Sequence, residues 1–409
     1  MKAPVVLFFS IICSLASCVN SHKEHDARFT KEQVKSLDLE GTTVLDININ
    51  EVKVLNLNPF LKKQDFDFGS MVDSVKLLPL ETTKESLISN IRKILVADSN
   101  VYIIDEFKGG SIVIFDRNGK FVKRIIKGQA PEEIFQPNDM AFDKRKGELV
   151  VYHKYFLSFF TPSGQYKSRT KVPFASYNFT ILPNGYLFQS INGQGNSHFD
   201  LPKEYLTLVV DNNFKLKSVA IPYFYSNNVN YGNGLGYLYA DNGVANITKP
   251  YTDTIYQYEY ASNRLNAKYA LDISRKKLPD KYLMGDWGDF EKALQQNDYF
   301  LYNGKYLETK NQNVFFVENW HIKSWGIIFR DKNSGNMKGG TNMVFNTNQI
   351  PPISFPISTY KQYFISTYLP DSKLDLSSNS NLSQEDKIKI KNLTEDDNPV
   401  LVFYELKPF

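Results

Sequence analysis

The sequence predicts an all-β chain closed as a six-bladed β-propeller, its last blade built from both chain ends and its surface carrying small helical insertions. Three observations predict it. From Val72 onward, short apolar runs alternate with Gly, Asn, Asp and Pro turns. A strand–turn–strand unit recurs at near-blade spacing. Strand-like segments near the two ends suit each other as sheet partners, and closure by pairing the ends leaves no long open edge.

The chain opens on Met1-Lys2 and an apolar run, Ala3 to Ile12. The run is too short to span a bilayer, which takes about 20 residues, but has the length of a signal-peptide core. Leu15-Ala16-Ser17-Cys18 then forms a lipobox. Residues 1–17 are therefore expected to be removed and Cys18 to be the lipidation site. Each buried CH₂ contributes about 0.8 kcal/mol, so two or three acyl chains make the anchor effectively permanent. The expected location is the cell envelope, periplasmic face or cell surface, with the membrane contacted through the anchor.

Cys13 and Cys18 are the only cysteines. One leaves with the signal and the other is acylated, which excludes disulfides, thiolate metal sites and cysteine nucleophiles. The formal net charge is only +4 and no Lys/Arg block stands out, so a nucleic-acid footprint is absent. The 30 Phe and 25 Tyr suit pleated packing or, alternatively, sugar stacking.

Residues 18–71 form the second region. Residues 19–42 are polar and read as a tether, with His22 and His25 as solvated spacer. Residues 43–57 alternate with period two and read as strand. The propeller is expected over residues 72–409. Its repeat is clearest in Phe115-Asp116-Arg117-Asn118-Gly119-Lys120-Phe121 and Phe160-Thr161-Pro162-Ser163-Gly164-Gln165-Tyr166, each a strand, a tight turn ending in Gly, and a second strand. Weaker copies place Val210, Tyr258, Phe329 and Tyr404 where Phe115 and Phe160 stand. The first three spacings are 45, 50 and 48 residues, the size of a four-stranded blade. The last two, 71 and 75, contain helical insertions at Asp289–Phe300 and after Ser383-Gln384-Glu385-Asp386, which resembles a capping box. Ser74–Glu81 and Pro399–Lys407 are the expected closing partners, with Pro79 tolerated on an outermost strand.

These segments resemble the six-bladed β-propeller lipoproteins of Bacteroidota, relatives of NHL-repeat propellers. The likeness rests on Val75–Thr83 with Leu87-Ile88, on Ile91–Asp105, on Phe115–Phe121 with Gly128-Gln129-Ala130-Pro131-Glu132-Glu133, and on Asp396–Tyr404. Ala130 and Glu132 replace two glycines usual in that family's loop. The resemblance implies the fold and little about activity, since fold does not supply function.

Propeller ligands sit where inner-strand ends and loops converge. One position recurs before the anchors: Asp105, His153, Thr248 and Glu318. With Asn319 these are the candidate ligand-binding residues. Strand ends are also polar simply because they meet water. Asp105, Glu318 and Asn319 would offer oxygen atoms to a channel-bound Ca²⁺. No His-x₃-His, His-Glu-x-x-His, Gly-x-Ser-x-Gly or phosphate-binding loop occurs, and no catalytic residue is assigned. Trp320-His321 and Trp325 read as a core pair or as a stacking patch. Three functions remain: an envelope propeller binding a carbohydrate, peptide or protein ligand at the channel mouth; an envelope hydrolase or lyase, lactonase-like or polysaccharide-acting, with a divalent ion; or a structural assembly module.

Overall fold

The computed structural model describes residues 28–409 apart from 63–64, 98, 107–109, 191–195, 200, 202, 224–237, 242, 345–353 and 371–381. The lipobox, Cys18, His22 and His25 lie outside the described residues.

Before the ring, the chain runs as a belt. A capped helix α1 (Lys31–Ser36) starts at Thr30, whose hydroxyl accepts from the Gln33 amide while the Gln33 side chain accepts from the Thr30 amide. Five short strands follow: β1 (Thr43–Val44), β2 (Ile47–Asn48), β3 (Lys53–Asn56), β4 (Asp65–Asp67) and β5 (Val72–Pro79). The period-two run of residues 43–57 is thus three strands rather than one.

Six antiparallel sheets of four consecutive positions then form the ring. Blade 1 spans residues 91–125, blade 2 137–171, blade 3 178–222, blade 4 238–272 and blade 5 301–340. Blade 6 takes three strands from residues 358–406 and its outermost strand from β5. The closing register runs from Val400↔Pro79 to Leu406↔Val72, so Pro79 sits on an edge strand where its missing N–H is harmless. All six anchors, Phe115, Phe160, Val210, Tyr258, Phe329 and Tyr404, fall on the third strand of their blades. The innermost strands abut in sequence around the ring axis, except that between blades 4 and 5 the second strand of blade 4 meets the innermost strand of blade 5.

Each blade buries both faces, which explains why its central strands read as continuous apolar runs rather than alternating ones. In Asn100–Asp105, Tyr102 and Ile104 pack on blade 2, while Val101 and Ile103 pack on blade 6. Six such interblade cores close the ring. The third-to-fourth strand turns use left-handed backbone, at Gly119 (φ 80°) and Gly164 (φ 82°) as the repeat implied. Phe214 (φ 62°) and Asn263 (φ 47°) take the corresponding turns of blades 3 and 4 without glycine.

The belt follows the outside of this ring. β1 pairs in parallel with the outermost strand of blade 3, and β2 and β3 with that of blade 4. β4 pairs with Asn342–Val344 beside blade 5. Phe29 and Leu37 are buried, Leu37 within the blade 2–blade 3 core, and the Leu37 carbonyl accepts from Leu216 N at 2.7 Å. The tether expectation is therefore corrected for residues 28–42. Two apolar side chains and one capped turn suffice to dock this polar stretch.

Helices α2 (Asp280–Leu283) and α3 (Trp287–Gln296) lie between blades 4 and 5, and α4 (Gln384–Ile390) lies within the blade 6 segment. Asp286 caps α3, and Ser383 caps α4 through the Asp386 amide. Asn398 joins the closure to blade 1: its Oδ1 accepts from Ile88 N, and its Nδ2 donates to the Glu81 and Ser86 carbonyls.

Candidate functional site

In an antiparallel meander, the ends of second strands, starts of third strands, ends of fourth strands and starts of first strands share one face of the ring. Asp105, His153 and Thr248 end the second strands of blades 1, 2 and 4. Glu318 and Asn319 end that of blade 5. These five residues, on four blades, all stand at second-strand ends on one face of the ring.

Their side chains are engaged beneath that mouth. Asp105 is fully buried. Its Oδ1 accepts from Ser89 N (3.1 Å), Ser89 Oγ (2.8 Å) and Asn90 N (3.0 Å), and its Oδ2 from Arg124 Nη1 (3.0 Å). Burial pushes its carboxyl up, but these donors outweigh burial and hold it below the usual range. His153, also fully buried, plays the same part in blade 2. Its Nδ1 accepts from Phe135 N at 3.2 Å, so the ring proton lies on Nε2, 2.7 Å from Ser158 Oγ. Burial, reinforced by the Arg169 guanidinium, lowers the imidazole to about 3. Both residues pin the loop that enters their own blade.

Thr248 ties blades instead. Its Oγ1 donates to the Gly304 carbonyl of blade 5 at 2.5 Å, and its carbonyl accepts from Gln189 Nε2 of blade 3 at 2.5 Å. Gln189 ends the second strand of blade 3 and, like Tyr368 at the end of that of blade 6, was missed by the spacing. Burial raises the Glu318 carboxyl, while the neighbouring Trp320 lowers it through a side-chain hydrogen bond. Asn319 Nδ2 donates to Asp298 Oδ1 at 2.7 Å, and its Oδ1 accepts from Ile322 N. Trp320 packs on Trp287 and Phe290 of α3, while Trp325 is exposed on the third strand of blade 5.

Asp105 thus places both oxygens on protein donors, and Asn319 serves a turn. Among the described residues no group of three or more His, Cys, Asp or Glu is placed to hold a metal ion.

Above this layer, aromatic rings pair with cations on the same face. Arg92 lies 5.9 Å from the Tyr177 ring and donates to Tyr177 Oη at 3.2 Å. Lys154 lies 4.9 Å from the Phe135 ring, Arg169 5.5 Å from Phe156 and Lys249 4.9 Å from Tyr223. Lys154 is exposed, and Arg92, Phe135, Phe156, Arg169 and Tyr177 are partly exposed. Burial lowers the Lys249 amine to about 8. The loop carrying Ala130 and Glu132 is fixed from below, since Arg169 Nη2 donates to the Pro131 and Glu133 carbonyls. Lys93 and Asp139 form an ion pair between blades 1 and 2, and Asp139 Oδ2 accepts from Phe179 N of blade 3 at 3.0 Å. The mouth is a rigid polar floor carrying an aromatic and cationic rim.

The chain matches one described family, domain of unknown function DUF4934, over residues 52–405. It belongs to that family. No curated protein matches it. Among solved structures, an exported protein of Bacteroides fragilis (BF0058) is similar with a TM-score of 0.71 and 16% identity, covering 87% of this chain and all of that one. The likeness shows the shared propeller fold. The extracellular domain of a one-component system from B. thetaiotaomicron (BT4673) reaches a TM-score of 0.34 at 9% identity, with 65% and 29% of the two chains covered. No helix among the described residues of this DUF4934 member is long and apolar enough to cross a membrane.

Proposed function

We propose that this DUF4934 protein is a lipid-anchored envelope propeller that binds an acidic ligand, carbohydrate or peptide, across the mouth of its channel. The observation that carries the reading is the rim: three cation–aromatic pairs reach solvent on one face, over buried, hydrogen-bonded strand ends. Aromatic faces stack on sugar rings or peptide side chains, and the adjoining guanidinium and ammonium groups take acidic substituents. A floor already ordered in the free protein lowers the entropy lost on binding.

The belt supports a position close to the lipid. Arg28 donates to Tyr155 Oη at 2.9 Å and its carbonyl accepts from Lys171 Nζ at 2.9 Å, both at the mouth-side rim of blade 2. Nine residues, ten Cα–Cα steps, separate it from Cys18. A fully extended chain of that length reaches at most ~35 Å. An acyl anchor at Cys18 would therefore keep the binding face near the bilayer.

Calorimetry with oligogalacturonate and with an acidic peptide tests the reading. The wild type is expected to bind one of them with an affinity that falls as salt rises. Lys154→Glu reverses an exposed charge on the rim and is expected to weaken binding about tenfold, roughly 1.4 kcal/mol. Equal binding by the variant, or no binding of either probe, would refute it.

A further inference from the structure

Among the described residues, the innermost strands carry three cations: Arg92, Lys93 and Lys305. Two of them tie blades together. Arg92 donates to the Pro137 and Asn138 carbonyls and to Tyr177, and Lys93 pairs with Asp139. Further polar ties join blades 3, 4 and 5 through Gln189, Thr248 and Gly304, and blades 6 and 1 through Ser358 Oγ and the Ile94 carbonyl at 2.8 Å. Lys305 makes no such tie. Its ammonium has no hydrogen-bond acceptor among the described residues and lies 4.4 Å from the Phe316 ring centroid, beside the core shared by blades 5 and 6.

The backbone presents this residue by a specific irregularity. The strand Leu301–Glu308 leaves regular register between Tyr302 and Tyr306. Asn303 Oδ1 accepts from Lys305 N at 2.9 Å, and Gly304 adopts φ 89° against Pro250, where a Cβ would lie 3.2 Å from the Pro250 nitrogen. Asn303, Gly304 and Tyr306 are buried, yet Lys305 between them is partly exposed. Lys305 thus stands on the innermost strand of blade 5, with its ammonium against the blade 5–6 core.

Among the described residues no neighbouring acid compensates the charge. On its own strand, Glu308 is occupied by Lys268 and Lys332 at 2.7 Å each and by Tyr306 Oη at 2.7 Å. Glu318, on the adjacent strand, and Tyr360, on blade 6, do not act on it, and burial alone lowers its amine to about 8. A desolvated ammonium without a counter-charge is costly.

We propose that Lys305 is an anion-binding residue, pairing with the carboxylate or phosphate of a small ligand that enters the channel between blades 5 and 6. The rim reading is independent of it, and Lys154→Glu should leave this site intact.

The test uses the full chain with ¹³C-dimethylated lysines, the Lys305 resonance being assigned by its loss in Lys305→Met. Acetate and inorganic phosphate are the two probes, followed by NMR and calorimetry. The expected result is one anion per chain and a Lys305 titration midpoint moved up by the probe. Binding should weaken about tenfold between pH ~7 and ~9, vanish in Lys305→Met and persist in Lys305→Arg. Preference for acetate assigns a carboxylate, and preference for phosphate a phosphoryl group. Unchanged binding in Lys305→Met, or a Lys305 resonance that neither probe moves, overturns the proposal. Should the Met variant fail to fold, loss of the resonance in Lys305→Arg assigns it, and the wild-type midpoint with and without probe decides.

Discussion

Replacing Asp105 with alanine separates a structural role from a ligand-binding one. Asp105 is fully buried and accepts four hydrogen bonds, one from the guanidinium of Arg124. Truncation leaves the Ser89 and Asn90 amides and a largely buried guanidinium short of an acceptor. Breaking a buried ion pair by removing one partner costs about 3–5 kcal/mol. The remaining Arg124 contacts, to Ser111 Oγ and the Glu85 and Leu87 carbonyls, soften the loss. We therefore expect about 3 kcal/mol, a drop of roughly 4 °C in melting temperature for a chain of this size. The carboxyl is held below its ordinary value in the fold. Its contribution is thus complete above the unfolded carboxylate pKa of about 4, and it is lost as pH falls below that. Thermal melts of wild type and Asp105→Ala at pH ~7 and pH ~3 measure both effects. A residue kept mainly for a ligand behaves otherwise, because its removal is neutral or stabilising. A variant at pH ~7 as stable as the wild type, or a gap that does not narrow in acid, would refute this reasoning.

Other consequences follow from the same geometry. His153 is held neutral in the fold, its pKa lowered to about 3, whereas an unfolded histidine titrates near ~6.5. Between these values the unfolded chain binds the extra proton, so stability should fall as pH drops through that window, and His153→Gln should flatten this slope in denaturant titrations. Leu37→Ala should cost about 2–4 kcal/mol and speed proteolytic release of the belt, as followed by mass spectrometry. Gly119→Ala places a Cβ 1.9 Å from the Pro79 carbonyl oxygen at φ 80°, whereas at Gly335, φ 78°, the nearest atom is the Arg330 Nη2, 3.7 Å away. Melting temperatures should therefore fall well below wild type for Gly119→Ala and only slightly, by about 1 kcal/mol, for Gly335→Ala.

The ring was legible because its signal is local chemistry repeated. The Asn118-Gly119 and Ser163-Gly164 turns mark third-to-fourth strand hairpins, and the apolar residues before them lie between two neighbouring blades. The same spacing located Asp105, His153, Thr248 and Glu318, whose anchors follow their second strands after short turns. It missed Gln189 because residues 190–204 separate that strand from the next, so Val210 no longer points back to it. The belt escaped notice for another reason. Parallel strands of two to four residues are too short for a periodic pattern, and Phe29 and Leu37 stand alone in polar surroundings. Neither could spacing reveal that Asp105 and His153 hold up their own loops, since strand-end polarity looks the same for water, a loop or a ligand. Lys305 owes its position to an irregularity in its strand, which the residues around it do not announce.

If ligand binds at the face that carries the second-strand ends, it must shield that face and no other. Covalent footprinting of the wild-type chain, with and without saturating oligogalacturonate or acidic peptide, tests it most directly. Protection is expected at Arg92, Phe135, Lys154, Phe156 and Tyr177, with Arg117 and Tyr360 on the opposite face unchanged. Protection of that opposite face, or of the outer edges alone, would contradict it.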